Sequence, residues 1–444
     1  MKPAFIGIDI ATEATRALLV DENANVIGTT KTKLAPVIRG ADGSVTQDSK
    51  SWVVAVASLL KEIQAIAAAA QVEPISLVIS ATSGTFTLVN DEGQAVIPAA
   101  MYNDGRASSP LDRAIFIRKT EKLEGKLHLV HTPEFVIASL LKLKPQEIPA
   151  DWSHALKTGV DLHSQNWKPE ILTQASAEKI SLPNVVAPGA KLGAIGNLNI
   201  YAGMTDGCTA QISAGGAGLG SAVTTLGTTM VTKLVSNKDV SGPGFYSHLL
   251  PKTNWLVGGA SNLGGISFKE YAGDIKNWDK KAGAHGPASF VTYPLSSKGE
   301  RFPIANMDLV KISSGNPINE IDNYRAILEG IAFAEKLSYE ILVKAGAPLT
   351  GELRTAGGGA KSPTWCKIRA TVLNRPVIAQ TDSGSDLGAA LIAIAAVTSP
   401  TDIAAGISAI KLPAGEIYLP VQEEVEALSQ NYQLFKKITE LSHL

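Results

Sequence analysis

Cysteine is scarce. The 444-residue chain holds two, Cys208 and Cys366, which lie far apart and form no framework. That scarcity excludes a disulfide-stapled secreted domain and points to a reducing, cytoplasmic setting. Long apolar runs are missing too: none approaches the ~20 residues of a membrane helix. The most apolar stretch, Leu387 to Val397, is short and alanine-rich, which suits a buried helix. The opening MKPAFIGID enters a strand at once, too early for the apolar core of a signal peptide. Nor does one charge dominate. Forty Lys+Arg against 41 Asp+Glu give a net charge of −1, which supplies no field to draw nucleic acid or an anionic membrane. Familiar phosphate-binding signatures are lacking as well. Gly359-Ala360-Lys361-Ser362 has no glycine directly before the lysine, as a P-loop requires, and Gly215 to Gly220 lacks G-x-G-x-x-G spacing.

What is present is an ordinary globular composition, 45% apolar and 18% charged, in a chain long enough for about two or three domains. Ala4 to Asp9 reads as a strand, Ala11 to Ala14 as a polar turn, Arg16 to Val20 and Val26 to Lys33 as two more strands. A helix over Ser51 to Ala70 and a buried strand over Ile75 to Ile79 follow. The opening pattern returns in the middle of the chain: strand Ala222 to Leu226, turn Gly227-Thr228-Thr229, strand Met230 to Val235, then a strand from Trp255 to Gly258. Such a pseudo-repeat predicts two similar domains with a boundary near residue 200. The second half then turns helical, with an apolar stripe over Ile321 to Lys344 and a helix opened by Ser362-Pro363. The expectation is an α/β protein of two domains, 1–200 and 201–444, with a cleft between them.

Four segments carry chemistry. The turn after Asp9 is small and hydroxyl-rich, so its amides can approach phosphate while the acid holds Mg²⁺ through water; taken alone, the segment reads first as a plain surface hairpin. Gly227-Thr228-Thr229 offers similar amides from the other half, and two such turns could clamp one polyphosphate. Gly357-Gly358-Gly359 before a helix permits close approach of a flat ring or a phosphate. Finally, Asp206 lies at the junction of an expected strand and a small-residue helix, Thr209 to Ala214. A carboxylate there can take the proton of an attacking hydroxyl, or simply cap the helix.

Taken in order, these segments resemble the FGGY carbohydrate kinases. The likeness runs from Ile6 to about Ala396 through Gly7-Ile8-Asp9-x-x-Thr12, Tyr102-Asn103-Asp104-Gly105-Arg106, Gly203-x-x-Asp206-Gly207-Cys208, Leu226-Gly227-Thr228-Thr229, Gly258-Gly259-Ala260-Ser261-Asn262, Gly299-Glu300-Arg301, Glu329-Gly330-Ile331-Ala332-Phe333, Gly357 to Ser362 and Asp386-Leu387-Gly388-Ala389-Ala390. The resemblance implies two ribonuclease-H-like domains of the actin-like ATPase fold. It implies ATP and Mg²⁺, with Asp206 as general base and Asp9 and Asp206 near the metal. It also implies phosphate or nucleotide contacts at Asp9, Thr12, Arg16, Gly227, Thr228, Gly358, Gly359 and Gly388. Sugar contacts are implied at Thr82, Ser83, Asn103, Asp104 and Arg106, with His131 a further candidate.

Two departures stand out, the first in the phosphate turn and the second in the sugar loop. Ala11 stands where the family usually has glycine, and Thr82-Ser83-Gly84 replaces the Met-His-Gly of bacterial xylulokinases. The Thr82–Thr85 loop is similar instead to the ribulokinase-like branch of cyanobacteria and plants. The resulting expectation is phosphorylation of a primary hydroxyl on a pentulose, D-ribulose ahead of D-xylulose, by a cytoplasmic monomer or homodimer. Its partners would be the sugar and ATP, with neither nucleic acid nor membrane. The alternatives are a sugar-independent actin- or chaperone-like ATPase and a non-catalytic sugar sensor.

Overall fold

A computed structural model describes residues 1–251 and 254–440. The chain divides into two compact units. The first takes Met1–Ser213, a short segment beginning at His248, and Gly384–Leu412; the second takes the rest of the described chain. The boundary expected at residue 200 thus falls after Ser213, and a late segment returns to the first unit.

The first unit is built on the strand Lys2–Ile10, buried from Ala4 onward. It pairs antiparallel with Ala14–Val20 and parallel with Val72–Ala81. The full order is Lys191–Ile195, Leu198–Tyr201, Val72–Ala81, Lys2–Ile10, Ala14–Val20, Val26–Lys33. The helix Ser49–Ala69 starts at Asp48, whose side chain accepts from the Lys50 amide. It buries Trp52, Val56, Leu59 and Ile63 at helical spacing in the core shared with Ile6 and Ile8. By length and composition this helix could cross a membrane, contrary to the expectation that no segment qualifies. Its apolar stripe is covered by the unit's own core.

The helix Ser385–Thr398 is buried from Leu387 to Ala396. Alanine and glycine dominate it because it lies directly on backbone. A Cβ on Gly7 would stand 1.9 Å from the Asp386 carbonyl oxygen, and one on Gly388 would stand 1.9 Å from that of Thr209. Ser76 Oγ donates to the Ala393 carbonyl at 2.9 Å.

A second sheet in this unit runs Ile180–Ser181, Leu127–His131, Phe86–Val89, Ala99–Ala100, Val45–Gln47, Ile38–Arg39. Most of these strands are two to five residues long, too short to leave a period-two signature.

In the second unit the strands Trp255–Ser261, Met230–Ser236, Ala222–Leu226, Leu353–Ala356, Val377–Ala379 and Glu416–Tyr418 follow one another in that order. The central three pair as in the first unit, antiparallel on one side and parallel on the other. The helix Glu320–Lys344 is covered on most of its circumference. Its Glu335 holds Arg369 of the helix Pro363–Leu373 at 2.6 Å, and Arg369 donates to Thr355 Oγ1. This buried pair fixes both helices to the sheet.

The glycine contacts make a direct prediction. Gly388→Ala forces a methyl into rigid backbone and should lower stability by about 3 kcal/mol. Gly218→Ala, with nothing within 4 Å of the added carbon, should leave the thermal unfolding midpoint unchanged.

Candidate active site

The first unit gathers carboxylates at the end of its central strand. Asp9, one residue before that end, is 7% exposed. Its neighbours in register are Arg16 on one side and Ser80 on the other. Thr15 Oγ1 donates to the Asp9 carbonyl at 3.0 Å, yet the carboxyl Oδ1 is buried without any hydrogen-bond partner. Burial first, then the negative charges of Asp206 and Asp386, against a smaller pull from Arg16, push the Asp9 carboxyl up to about 7. A carboxylate so placed is costly unless a cation or a proton stands beside it.

Three glycines bring the acids together. Gly7 admits Asp386, Gly388 admits the Asp206–Ser213 helix, and Gly203 lies where a Cβ would meet the Ile79 carbonyl oxygen at 2.1 Å. Asp206 is the first residue of its helix and partly exposed; its Oδ1 accepts from the Gly207 amide at 2.7 Å. The strand expected to run into Asp206 stops at Tyr201. Ala202 still exchanges backbone bonds with Gly189 and Ala190, residues 203 and 204 leave the ladder, and Thr205 forms a bridge to Ala81.

The turn after Asp9 is pinned by the buried Gln47, whose Nε2 donates to the carbonyls of Thr12 at 2.9 Å and Ala35 at 2.6 Å. Ala11 does not adopt positive φ, so the methyl in place of the usual glycine introduces no backbone strain. Arg16 is exposed.

In the loop expected to face the sugar, Thr82 Oγ1 and Thr85 Oγ1 share a hydrogen bond of 2.8 Å, Gly84 takes φ +86°, and Ser83 Oγ is buried without a partner. Asn103 is exposed. Asp104 is not available to a ligand: its carboxylate, with a side chain 0% exposed, accepts from Arg106 at 2.7 Å and from the Val45 amide at 2.9 Å. Burial would raise its carboxyl, but these donors outweigh it and hold it below the usual range. Asp104 therefore orients Arg106. The expectation for His131 is corrected outright. It is fully buried, with Nδ1 on Glu134 and Nε2 on Thr158, each at 3.0 Å, so neither nitrogen can reach a sugar.

The second unit carries a cavity of about 400 Å³ whose walls include Gly227, Thr228, Gly358, Gly359, Tyr324 and Trp365. Gly357, at φ +81°, and Gly359 let the loop press on Leu226; a Cβ at either would come within 2.6 Å of it. At Gly358 an added Cβ would meet only the Leu226 carbonyl oxygen, at 3.9 Å. Asp279 crosses the cavity wall, accepting from Tyr324 OH at 2.7 Å and Ser362 Oγ at 2.6 Å. Neither Asp279 nor the pocket face of Tyr324 was legible beforehand: Tyr324 falls on an apolar helical stripe and reads as core. Gly388, expected beside the nucleotide, lies in the first unit as a packing glycine.

Comparisons with known proteins bear on the family and the fold. Residues 4–144 match the N-terminal domain, and residues 222–397 the C-terminal domain, of the FGGY family of carbohydrate kinases. The xylulose kinase of Lactococcus lactis subsp. lactis is 23% identical, over 99% of this chain and 97% of that protein. Among solved structures, the xylulose kinase of Rhodospirillum rubrum superposes with a TM-score of 0.84 at 20% identity, covering 99% of each chain. The Plasmodium falciparum glycerol kinase with ADP gives 0.81 at 16%, covering 100% of this chain and 99% of that one. At such identities the structural likeness establishes the fold alone, a two-unit α/β architecture.

The state of Asp9 predicts a pH-dependent stability. Its carboxyl is raised from 3.8 to about 7, so the folded chain binds a proton more readily than the unfolded chain, and ionisation opposes folding. Asp9→Asn should therefore stabilise the protein, with a gain that grows between those two pH values and levels off above the upper one. At its plateau the gain is on the order of 4 kcal/mol. Thermal unfolding at pH 4 and pH 8 checks the sign.

Proposed function

Because the chain belongs to the FGGY family of carbohydrate kinases, we propose that it transfers the γ-phosphoryl group of ATP to a primary hydroxyl of a pentulose, D-xylulose or D-ribulose, with Asp206 as the general base. The observation that carries this reading is the convergence of Asp9, Asp206 and Asp386 on one strand end, with a buried Asp9 oxygen left unpaired. Carboxylates have that use where a hydroxyl must lose a proton and a polyphosphate must be approached through a cation.

Mg²⁺ fits this donor set. Asp9 and Asp206 would hold it, and it would neutralise phosphate charge during transfer. Among the described residues no group of three His, Cys, Asp or Glu side chains is placed to hold a metal. Asp206, partly exposed at its helix start, accepts the proton of the sugar hydroxyl as that oxygen attacks phosphorus. Thr12 and Arg16 beside Asp9, and Gly227 and Thr228 at the second unit's cavity, contact phosphate. The cavity, ringed by Tyr324, Trp365 and Phe268, takes the adenine ring. Thr82, Ser83, Asn103 and Arg106 read the sugar. The relatives' names favour xylulose, whereas the Thr82-Ser83-Gly84 loop favours ribulose, so the acceptor is a pentulose of either configuration.

An ADP-release assay over D-xylulose, D-ribulose, L-ribulose, ribitol, xylitol and glycerol tests the acceptor. Sugar-independent ATP consumption would overturn the reading. Asp206→Asn should keep ATP affinity and lose turnover by ~10²–10⁴-fold; a normal rate at saturating ATP would remove the base assignment. Gly358→Val, which directs two methyls toward the cavity, should raise the KM for ATP at least tenfold, by roughly 1.4 kcal/mol or more, with the sugar KM unchanged.

A further inference from the structure

Beneath Asp206 lies a buried polar cluster that the proposed chemistry does not use. Asp151, Ser153 and His154 are 3%, 1% and 0% exposed. They sit on a short helix, Trp152–Ala155, capped by Asp151 itself. The segment is anchored on both sides: Ala150–Asp151 pairs with Val185–Val186, and Trp152 Nε1 donates to the Leu249 carbonyl at 2.9 Å.

The hydrogen bonds have a definite direction. Ser153 Oγ donates to Asp151 Oδ1 at 2.6 Å and accepts from the Thr205 amide at 2.9 Å. His154 Nε2 faces the Ala81 carbonyl at 3.2 Å, and a carbonyl can only accept, so Nε2 carries a proton. Its Nδ1 faces Asp151 Oδ2. Burial alone would strip the imidazole of charge, but the Asp151 carboxylate more than offsets this and holds His154 above its ordinary value. The cluster therefore grips two backbone points: Ala81, next to the Thr82–Thr85 loop, and Thr205, next to Asp206. Those points also face each other as an isolated bridge.

This grip matters because residues 203 and 204, just before Thr205, have left the sheet. A catalytic residue at the start of a helix whose lead-in is irregular needs its position set by something else, and burying an unsatisfied Thr205 amide would be costly. We propose that Asp151, Ser153 and His154 are positioning residues for phosphoryl transfer, locking the Asp206 helix start to the sugar loop by holding Thr205 and Ala81 together. The inference rests on Asp206 being the base, as proposed above. All three are buried and act through the main chain of Ala81 and Thr205.

The test uses the full-length protein with Ser153→Ala, Ser153→Thr, His154→Asn and Asp206→Asn, assayed at least 15 °C below each variant's melting midpoint, with kcat scaled to folded protein. Ser153→Ala removes the acceptor for the Thr205 amide. It should lower kcat by about 10- to 100-fold, in line with the effect of a small misplacement, with ATP affinity within twofold of wild type. Ser153→Thr keeps the hydroxyl and should restore most of that loss. His154→Asn keeps a donor toward Asp151 but releases Ala81, and should raise the sugar KM more than it lowers kcat. Wild-type kcat and KM in Ser153→Ala, or losses matching only the unfolded fraction, would overturn the positioning role while leaving the base assignment intact. An active Asp206→Asn would instead overturn the reading on which it rests.

Discussion

One constraint organises the first unit: a helix must lie on bare backbone. The Ser385–Thr398 helix approaches the opening strand at Gly7 and the Asp206–Ser213 helix at Gly388 so closely that neither position tolerates a single additional carbon. Helices normally pack through side chains that hold their axes 8–10 Å apart. Removing those side chains draws three chain segments inward and delivers a carboxylate from each to one place. Burial is the larger part of the penalty at Asp9, and repulsion adds to it, because acids brought together by backbone contact cannot move apart.

The two units show how one topology serves two kinds of chemistry. In each, a first strand is flanked by an antiparallel neighbour and a parallel one, and an antiparallel strand closes the far edge. The next-to-last residue of the first strand is Asp9 in one unit and Thr225 in the other. The turn that follows is pinned by the Gln47 amide in the first unit. In the second it is held by backbone bonds, from Gly265 to the Gly227 carbonyl and from Ile266 to that of Thr228. Charge is concentrated at one strand end, whereas the other lines a mostly apolar cavity beside a glycine-rich loop.

Much of this was legible from residue order. The strands Ala222–Leu226 and Met230–Ser236, the long helix over 320–344 and the Ser362 cap all follow from periodicity and end signals, since each is long or bounded by a strong stop. The short strands of the second sheet in the first unit were not, because two or three residues cannot display a period. Asp104 and His131 illustrate a different limit. A polar residue near a presumed ligand reads as a contact, but only packing reveals that the Arg106 guanidinium and the Glu134 and Thr158 side chains have already occupied its hydrogen-bonding capacity. The Asp151–His154 cluster was invisible for the same reason: its partners, Ala81 and Thr205, are main-chain groups far away in sequence.

The return of residues 384–412 to the first unit bears on how the protein is made. A ribosome delivers the opening sheet hundreds of residues before the helix that covers it. Until that helix emerges, the face around Gly7 and Ser76 lacks its partner, and the nascent first unit carries an open apolar surface while the intervening unit is being synthesised. Vectorial synthesis thus makes the earliest strands among the last to be sealed, and a chain interrupted before residue 384 would be deprived of the lid on its own central sheet.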